Sequence, residues 1–89
     1  MEIVYKKKAV KAIEGMPKAT KQRIKSAIEG LTLSPPKGNI KPMQGYIDGR
    51  FRLRVGDYRI IYKYDTDGKL QILVIMDIGS RGDIYKGGK

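Results

Sequence analysis

The chain has 89 residues and carries 19 lysines and arginines against 9 aspartates and glutamates, a formal charge of +10, with no cysteine and no histidine. That composition excludes disulfides, thiolate and imidazole metal sites, Cys or His nucleophiles and histidine acid–base pairs. The length suits one small domain, taken as residues 1–89, near the lower limit of what a hydrophobic core stabilises unaided, and the basic excess points to nucleic acid or an acidic protein as partner.

Lys6-Lys7-Lys8 follows a short apolar stretch instead of preceding one, unlike the start of a signal peptide. The longest unbroken apolar run, Ile72 to Met76, is far too short to span a bilayer. A soluble, cytoplasmic chain with no membrane contact is expected.

Ile3-Val4-Tyr5 is β-branched and aromatic, as in a short first strand. From Lys6 to Met16, the residues Ala9, Val10, Ile13 and Met16 recur at helical spacing, and Gly15 with Pro17 ends that helix. Pro17 fits the first turn of a second helix. There Ala19 leads to Ile24, Ala27, Ile28 and Leu31, the last four at i, i+3, i+4, i+7. Lys18, Lys21, Arg23 and Lys25 take the other side, which predicts an antiparallel helical hairpin with an apolar seam. Leu33-Ser34-Pro35-Pro36 stops the second helix, and Lys37-Gly38-Asn39 reads as continuing loop. Met43-Gln44-Gly45-Tyr46 reads as a short edge strand, with a turn at Ile47-Asp48-Gly49.

Arg50 to Tyr64 then predicts a β-hairpin folded about Gly56-Asp57. Glycine at the first central position suits a type II′ two-residue turn, whose twist matches that of the flanking strands. The turn sets Val55 against Tyr58, Arg54 against Arg59, Leu53 against Ile60 and Arg52 against Ile61. One face collects Phe51, Leu53, Val55, Tyr58, Ile60 and Tyr62. The other collects Arg50, Arg52, Arg54, Arg59 and Lys63, interrupted by Ile61. Alternating arginines on a strand are usually a solvated outer face. Directly opposed like charges, however, destabilise a sheet by up to roughly 1 kcal/mol per pair. Arg54 against Arg59 therefore points to a polyanion.

After Tyr64, Asp65-Thr66-Asp67-Gly68 reads as a second tight turn. Leu70 to Ile78, apolar except for Gln71 and Asp77, reads as a central strand covered on both faces. Gly79 to Tyr85 reads as a loop or ragged extension, and the tail beyond it as frayed. Tyr58, Tyr62 and Tyr64 are read as core and strand residues, Asp57 as a turn residue, and Asp77 with Asp83 as no metal pair. The fold class is α+β, with a leading strand and a two-helix hairpin packed on a small, mainly antiparallel sheet of order βααβββ(β).

The string Arg52-Leu53-Arg54-Val55-Gly56-Asp57-Tyr58-Arg59-Ile60-Ile61-Tyr62 resembles the signature of the RelE/ParE toxin superfamily. Ile78-Gly79-Ser80-Arg81 with Asp83-Ile84-Tyr85 is similar to that family's C-terminal motif, so the likeness spans nearly the whole chain. For RelE-type members it implies a RelE-like fold and a toxin of a type II toxin–antitoxin system. That toxin is a ribosome-dependent, metal-independent and cofactor-independent mRNA endoribonuclease that inhibits translation. The reaction is attack of a 2′-hydroxyl on its own 3′-phosphate. The family's catalytic positions fall on Arg52, Arg54, Arg59, Arg81 and Tyr85, with Arg50 and Lys63 on the same face assigned to RNA binding.

Several members carry lysines where Arg52 and Arg54 stand, and many have histidine or lysine where this chain has Ser80. Both differences remove a titratable group. Arginine is a poor base, which leaves Tyr85 either to stack on a base and orient it or to move a proton. The resemblance also implies an acidic, partly disordered cognate antitoxin, the ribosome and mRNA as partners, and a monomeric free toxin. Two other functions fit the same sequence. One is a ParE-like toxin that inhibits DNA gyrase without catalysis; the other is a basic nucleic-acid-binding domain with steep salt dependence.

Overall fold

The structure, a computed structural model, describes residues 1–80. In chain order it holds β1 (Glu2–Tyr5), α1 (Lys7–Glu14), α2 (Lys18–Gly30), β2 (Asn39–Pro42), β3 (Phe51–Val55), β4 (Tyr58–Asp67) and β5 (Leu70–Ser80). The strands form one five-stranded sheet in the order β1-β5-β4-β3-β2. β1 runs parallel to β5, and every other neighbouring pair is antiparallel. This is the α+β arrangement the sequence predicts, a leading strand and two helices on a mainly antiparallel sheet.

Both helices bury their apolar stripes on the same side of the sheet. Ala9 and Ile13 of α1, Met16, and Ile24, Ile28 and Leu31 in and after α2 close on Leu53, Ile60, Tyr62, Leu73, Ile75 and Ile78. Val10 and Ala19, counted in the apolar pattern, are exposed instead. Val10 stands about 100° round the helix from Ala9 and leaves the stripe. Gly15 ends α1, its N–H donating to the Lys11 carbonyl at 3.3 Å. Pro17 sits just before the first helical residue of α2, with φ −59° and ψ 154°. Its carbonyl accepts the Lys21 N–H at 2.9 Å.

Three parts of the sheet depart from the sequence reading. The edge strand is β2 at Asn39–Pro42, not Met43 to Tyr46. Gly38 precedes it at φ +129°, where a Cβ would stand 2.5 Å from the Leu53 Cδ1. Only glycine lets β2 lie this close to β3. Asp65-Thr66-Asp67 is strand rather than turn, because β4 continues to Asp67 and reverses at Gly68-Lys69. That turn, like Gly56-Asp57, places a positive-φ glycine first and no positive-φ residue second, as a type II′ turn requires.

The third departure concerns β5, which includes Gly79 and Ser80; its middle is covered on both faces, as expected, with Leu73 and Ile75 buried on the helix side and Val74 on the other. The end of its apolar run has a second cause. Ile61 pairs with Asp77 and Tyr62 with Ile75, so Met76 is an extra residue in a β-bulge. The bulge resets the alternation. Leu73 and Ile75 face the helices before it, and Ile78 does so after it.

Phe51, Tyr62 and Tyr64 form an aromatic cluster on the helix side, with Phe51 stacked on Tyr62 at 5.6 Å between ring centroids and Tyr64 edge-on to Tyr62 at 5.7 Å. The Tyr64 hydroxyl donates to the Leu31 carbonyl at 2.8 Å and so ties β4 to the end of α2. Burial pushes the Tyr62 phenol well above the usual tyrosine range, and the neighbouring Tyr64 adds to it. These tyrosines are core and strand residues, as the sequence indicates. No described helix is long and apolar enough to cross a membrane.

Candidate anion-binding face

The register of the sheet decides which side chains meet on its second face, the one on which neither helix packs. One row across the strands reads Asn39, Arg54, Arg59, Gly79. The next reads Lys41, Arg52, Ile61, Asp77. Four cations on three adjacent strands thus form a block in which Arg54 opposes Arg59 and Lys41 opposes Arg52. The first opposition is legible in the hairpin. The second is not, because the sequence reading leaves Asn39 in a loop and Lys41 unassigned. The alternation of Asn39, Ile40 and Lys41, with Ile40 against Leu53 on the core side, is the signal that marks Lys41.

Arg59 is the centre of this block. It is only 7% exposed, and its Nε and Nη1 are enclosed without a hydrogen-bond partner. The Nε of Arg52 is enclosed and unpartnered too, while its Nη2 makes only a long contact of 3.4 Å with the Asn39 Oδ1. An unpaired buried charge costs several kcal/mol. Gly79, opposite Arg59 on β5, puts no side chain across from it. Arg54 is exposed beside it. Among the described residues these guanidinium groups carry more N–H donors than there are acceptors around them, an excess a phosphate satisfies.

The remaining predicted residues fall differently. Lys63 lies on the same face, half-buried, against Val74. Arg50 precedes β3, and its fork is already occupied: Nε and Nη2 donate to Asp48 at 3.0 and 2.6 Å, and the guanidinium lies 4.2 Å above the Tyr46 ring. Arg50 lowers the pKa of Asp48 from the usual carboxylate value, first through these hydrogen bonds. Asp77 faces this side opposite Ile61, and its Oδ1 accepts the Ile78 N–H at 2.9 Å. Arg81 and Tyr85, and Asp83 with them, lie outside the described residues. Among the described residues no three acidic side chains gather where a metal could be held.

The face is polarised along the strands. Cations crowd the Gly56 end, Ile61 and Val74 with the single cation Lys63 occupy the middle, and Asp65 and Glu2 flank Ile72 at the far end. At the Gly56 tip itself, the Arg23 guanidinium of α2 packs so closely that a Cβ on Gly56 would meet its Nη2 at 2.7 Å. The tip is thereby braced from the helix side.

A family model described as the ParE toxin of type II toxin–antitoxin systems, parDE, matches residues 3–85. No curated protein matches the chain. Among solved structures, the toxin of the archaeal RelE–RelB complex from Pyrococcus horikoshii OT3 is 29% identical, with 92% of this chain and 96% of that chain covered and a TM-score of 0.69. The RelB–RelE antitoxin–toxin complex from Methanococcus jannaschii gives 28% identity, 97% and 99% coverage and a TM-score of 0.70. The YoeB/ParE toxin from Agrobacterium tumefaciens, at 18% identity, 91% and 99% coverage and a TM-score of 0.76, is alike in fold.

Proposed function

We propose that this chain, which belongs to the RelE/ParE toxin superfamily of type II toxin–antitoxin systems, acts as a ribosome-dependent mRNA endoribonuclease. The observation that carries this reading is Arg59, buried, opposed by Arg54 and without a partner for Nε or Nη1. A toxin that acts by surface contact alone has no chemical need for an enclosed, unpaired guanidinium. A phosphate undergoing substitution does.

In this reading a 2′-hydroxyl gives up its proton as its oxygen attacks the adjacent phosphorus. The P–O5′ bond breaks and the leaving O5′ takes up a proton, so that the products are a cyclic phosphate and a free 5′-hydroxyl. Negative charge gathers on the non-bridging oxygens as the bond forms. Arg59 and Arg54 receive it with planar, paired donors, and Arg52 and Lys41 hold the neighbouring backbone. Each pre-placed donor in such a site contributes about 3–4 kcal/mol to the transition state. Arg81 adds a further cation, and Tyr85 stacks on a base and orients it. The ribosome supplies the rest by holding the strand in line, an entropic gain of several kcal/mol. No step is assigned to a metal or cofactor.

The partner is a cognate antitoxin, as in the RelE–RelB complexes to which the chain is similar. An acidic, partly disordered segment that covers the cationic block would supply the acceptors Arg59 lacks. The matched description, ParE toxin, favours a second reading in which the chain poisons DNA gyrase by contact.

Primer extension on mRNA programmed into purified ribosomes separates the two. Discrete cuts within the ribosomal A site, seen only with ribosomes and lost in Arg59→Ala and Arg81→Ala, are expected. No cleavage by a preparation that stops growth and inhibits supercoiling by gyrase would overturn the nuclease reading.

A further inference from the structure

Among the described strand residues, Asp77 is the one acid on the cationic end of the second face. We propose that Asp77 is the proton acceptor for the attacking 2′-hydroxyl, beside a phosphate held by Arg59 and Arg54. The assignment rests on the RNA-cleaving reading above and supplies the group that arginines cannot.

The register of the sheet brings Asp77 to the site. Arg59 stands opposite Gly79 and Ile61 opposite Asp77, so Arg59 and Asp77 are diagonal neighbours on one face. Diagonal partners lie roughly 7–8 Å apart at the backbone, within reach of long side chains. One phosphate group and the 2′-oxygen next to it fit that interval, and Gly79 puts no side chain into it. On the other side of β5, β1 ends at Tyr5 opposite Ile75, two residues short of Asp77.

The carboxylate is also aimed. Regular alternation from Leu73 and Ile75 would send Asp77 toward the helices, and the extra residue at Met76 turns it to the cations instead. Bulges recur next to active sites, where they re-aim a side chain. Asp77 is half-buried, and its Oδ1 accepts the Ile78 N–H at 2.9 Å, which leaves Oδ2 to face a substrate. Asp48 is already clasped by Arg50, and Asp65 and Glu2 lie at the far end. Among the described residues Asp77 forms no ion pair that would occupy it.

In the step itself, the 2′-hydroxyl proton passes to Oδ2 of Asp77 and the O–H electron pair forms the 2′-O–P bond. The P–O5′ bond breaks with its pair on O5′, which takes a proton from water. Asp77 then returns its proton to solvent.

Single-turnover cleavage of mRNA programmed into purified ribosomes, by the full chain as wild type, Asp77→Asn and Asp77→Glu, tests the assignment. Asp77→Asn keeps an oxygen for the Ile78 N–H and cannot take the proton. It is expected to slow cleavage about 10²–10⁴-fold, the range of one general base, with ribosome binding and urea midpoint unchanged. Asp77→Glu keeps the carboxylate and is expected to recover about tenfold or more of that loss. A phosphorothiolate linkage, with sulfur in place of O5′, departs without a proton and should leave Asp77→Asn slow.

Cleavage by Asp77→Asn within about threefold of wild type, or equal losses in the Asn and Glu variants, would overturn the proton acceptor and leave the nuclease intact. Restoration of Asp77→Asn by the sulfur linkage would move Asp77 to the leaving oxygen and overturn it too. No cleavage by the wild type removes the nuclease, and the proton acceptor with it.

Discussion

On the helix side of the sheet, Ile60 stands between Leu53 and Ile78; one residue earlier on the same strand, on the other side, Arg59 stands between Arg54 and Gly79. The two are almost equally enclosed, at 0% and 7% exposure. Ile60 meets neighbours of its own kind and gains from their contact. Arg59 meets a like charge and an absent side chain, with two of its nitrogens unpaired. Local rules agree around the first residue and are broken around the second. Such breaks mark the places where a fold gives up stability for something else.

Exchanging the character of the two positions should have opposite consequences. Arg59→Leu is expected to lower ribosomal cleavage by about 10²–10³-fold, the loss typical of one transition-state donor. Its stability to urea should rise, because a buried unpaired charge is replaced by apolar contact, often worth about 1–4 kcal/mol. If Arg59→Leu instead unfolds early, Arg59 is structural and the contrast collapses. Ile60→Ala is expected to cost about 3 kcal/mol in the same urea titration through lost burial and a residual cavity. In a chain this short that is a large share of the total.

Smaller effects sharpen the comparison at its margins. Gly38→Ala forces a methyl onto Leu53 at a strained φ and is expected to cost about 1–3 kcal/mol, read as a lower thermal midpoint. Tyr64→Phe removes the hydroxyl that donates to Leu31 and should cost about 1 kcal/mol without touching cleavage.

The weakest effect is one of pH. Burial raises the Tyr62 and Tyr64 phenols, so the folded chain keeps protons that the unfolded chain releases above pH about 10. Their contribution is complete below that point and is lost as pH rises toward the folded values. Urea midpoints measured from pH 9 to 11 should fall across the upper half of that range, and less so in Tyr64→Phe.

The half of the site built by the hairpin was legible in the sequence because a two-residue turn leaves no freedom of register. Once Gly56-Asp57 is identified, Arg54 must face Arg59. The half built by β2 was hidden for physical reasons. That strand has four residues, ends in Pro42 and follows a glycine whose φ no pattern reveals. Losing it meant losing Lys41. The Arg50 clasp was hidden for another reason, since Asp48 reads equally well as a turn residue and as an ion-pair partner two positions away. Arg81 and Tyr85 rest on motif resemblance alone.

The extra residue at Met76 divides β5 into two reading frames. The frame before it answers to β1 and the far half of β4, and the frame after it answers to the cationic end. Removing that one residue would merge the frames and leave Asp77 and Ile78 facing as they do, whereas pairing Met76 in register would turn Asp77 toward the helices and Ile78 toward the cationic side. With it in place, one strand gives the core Leu73 and Ile75 before the bulge and Ile78 after it, while Asp77 stays on the charged face.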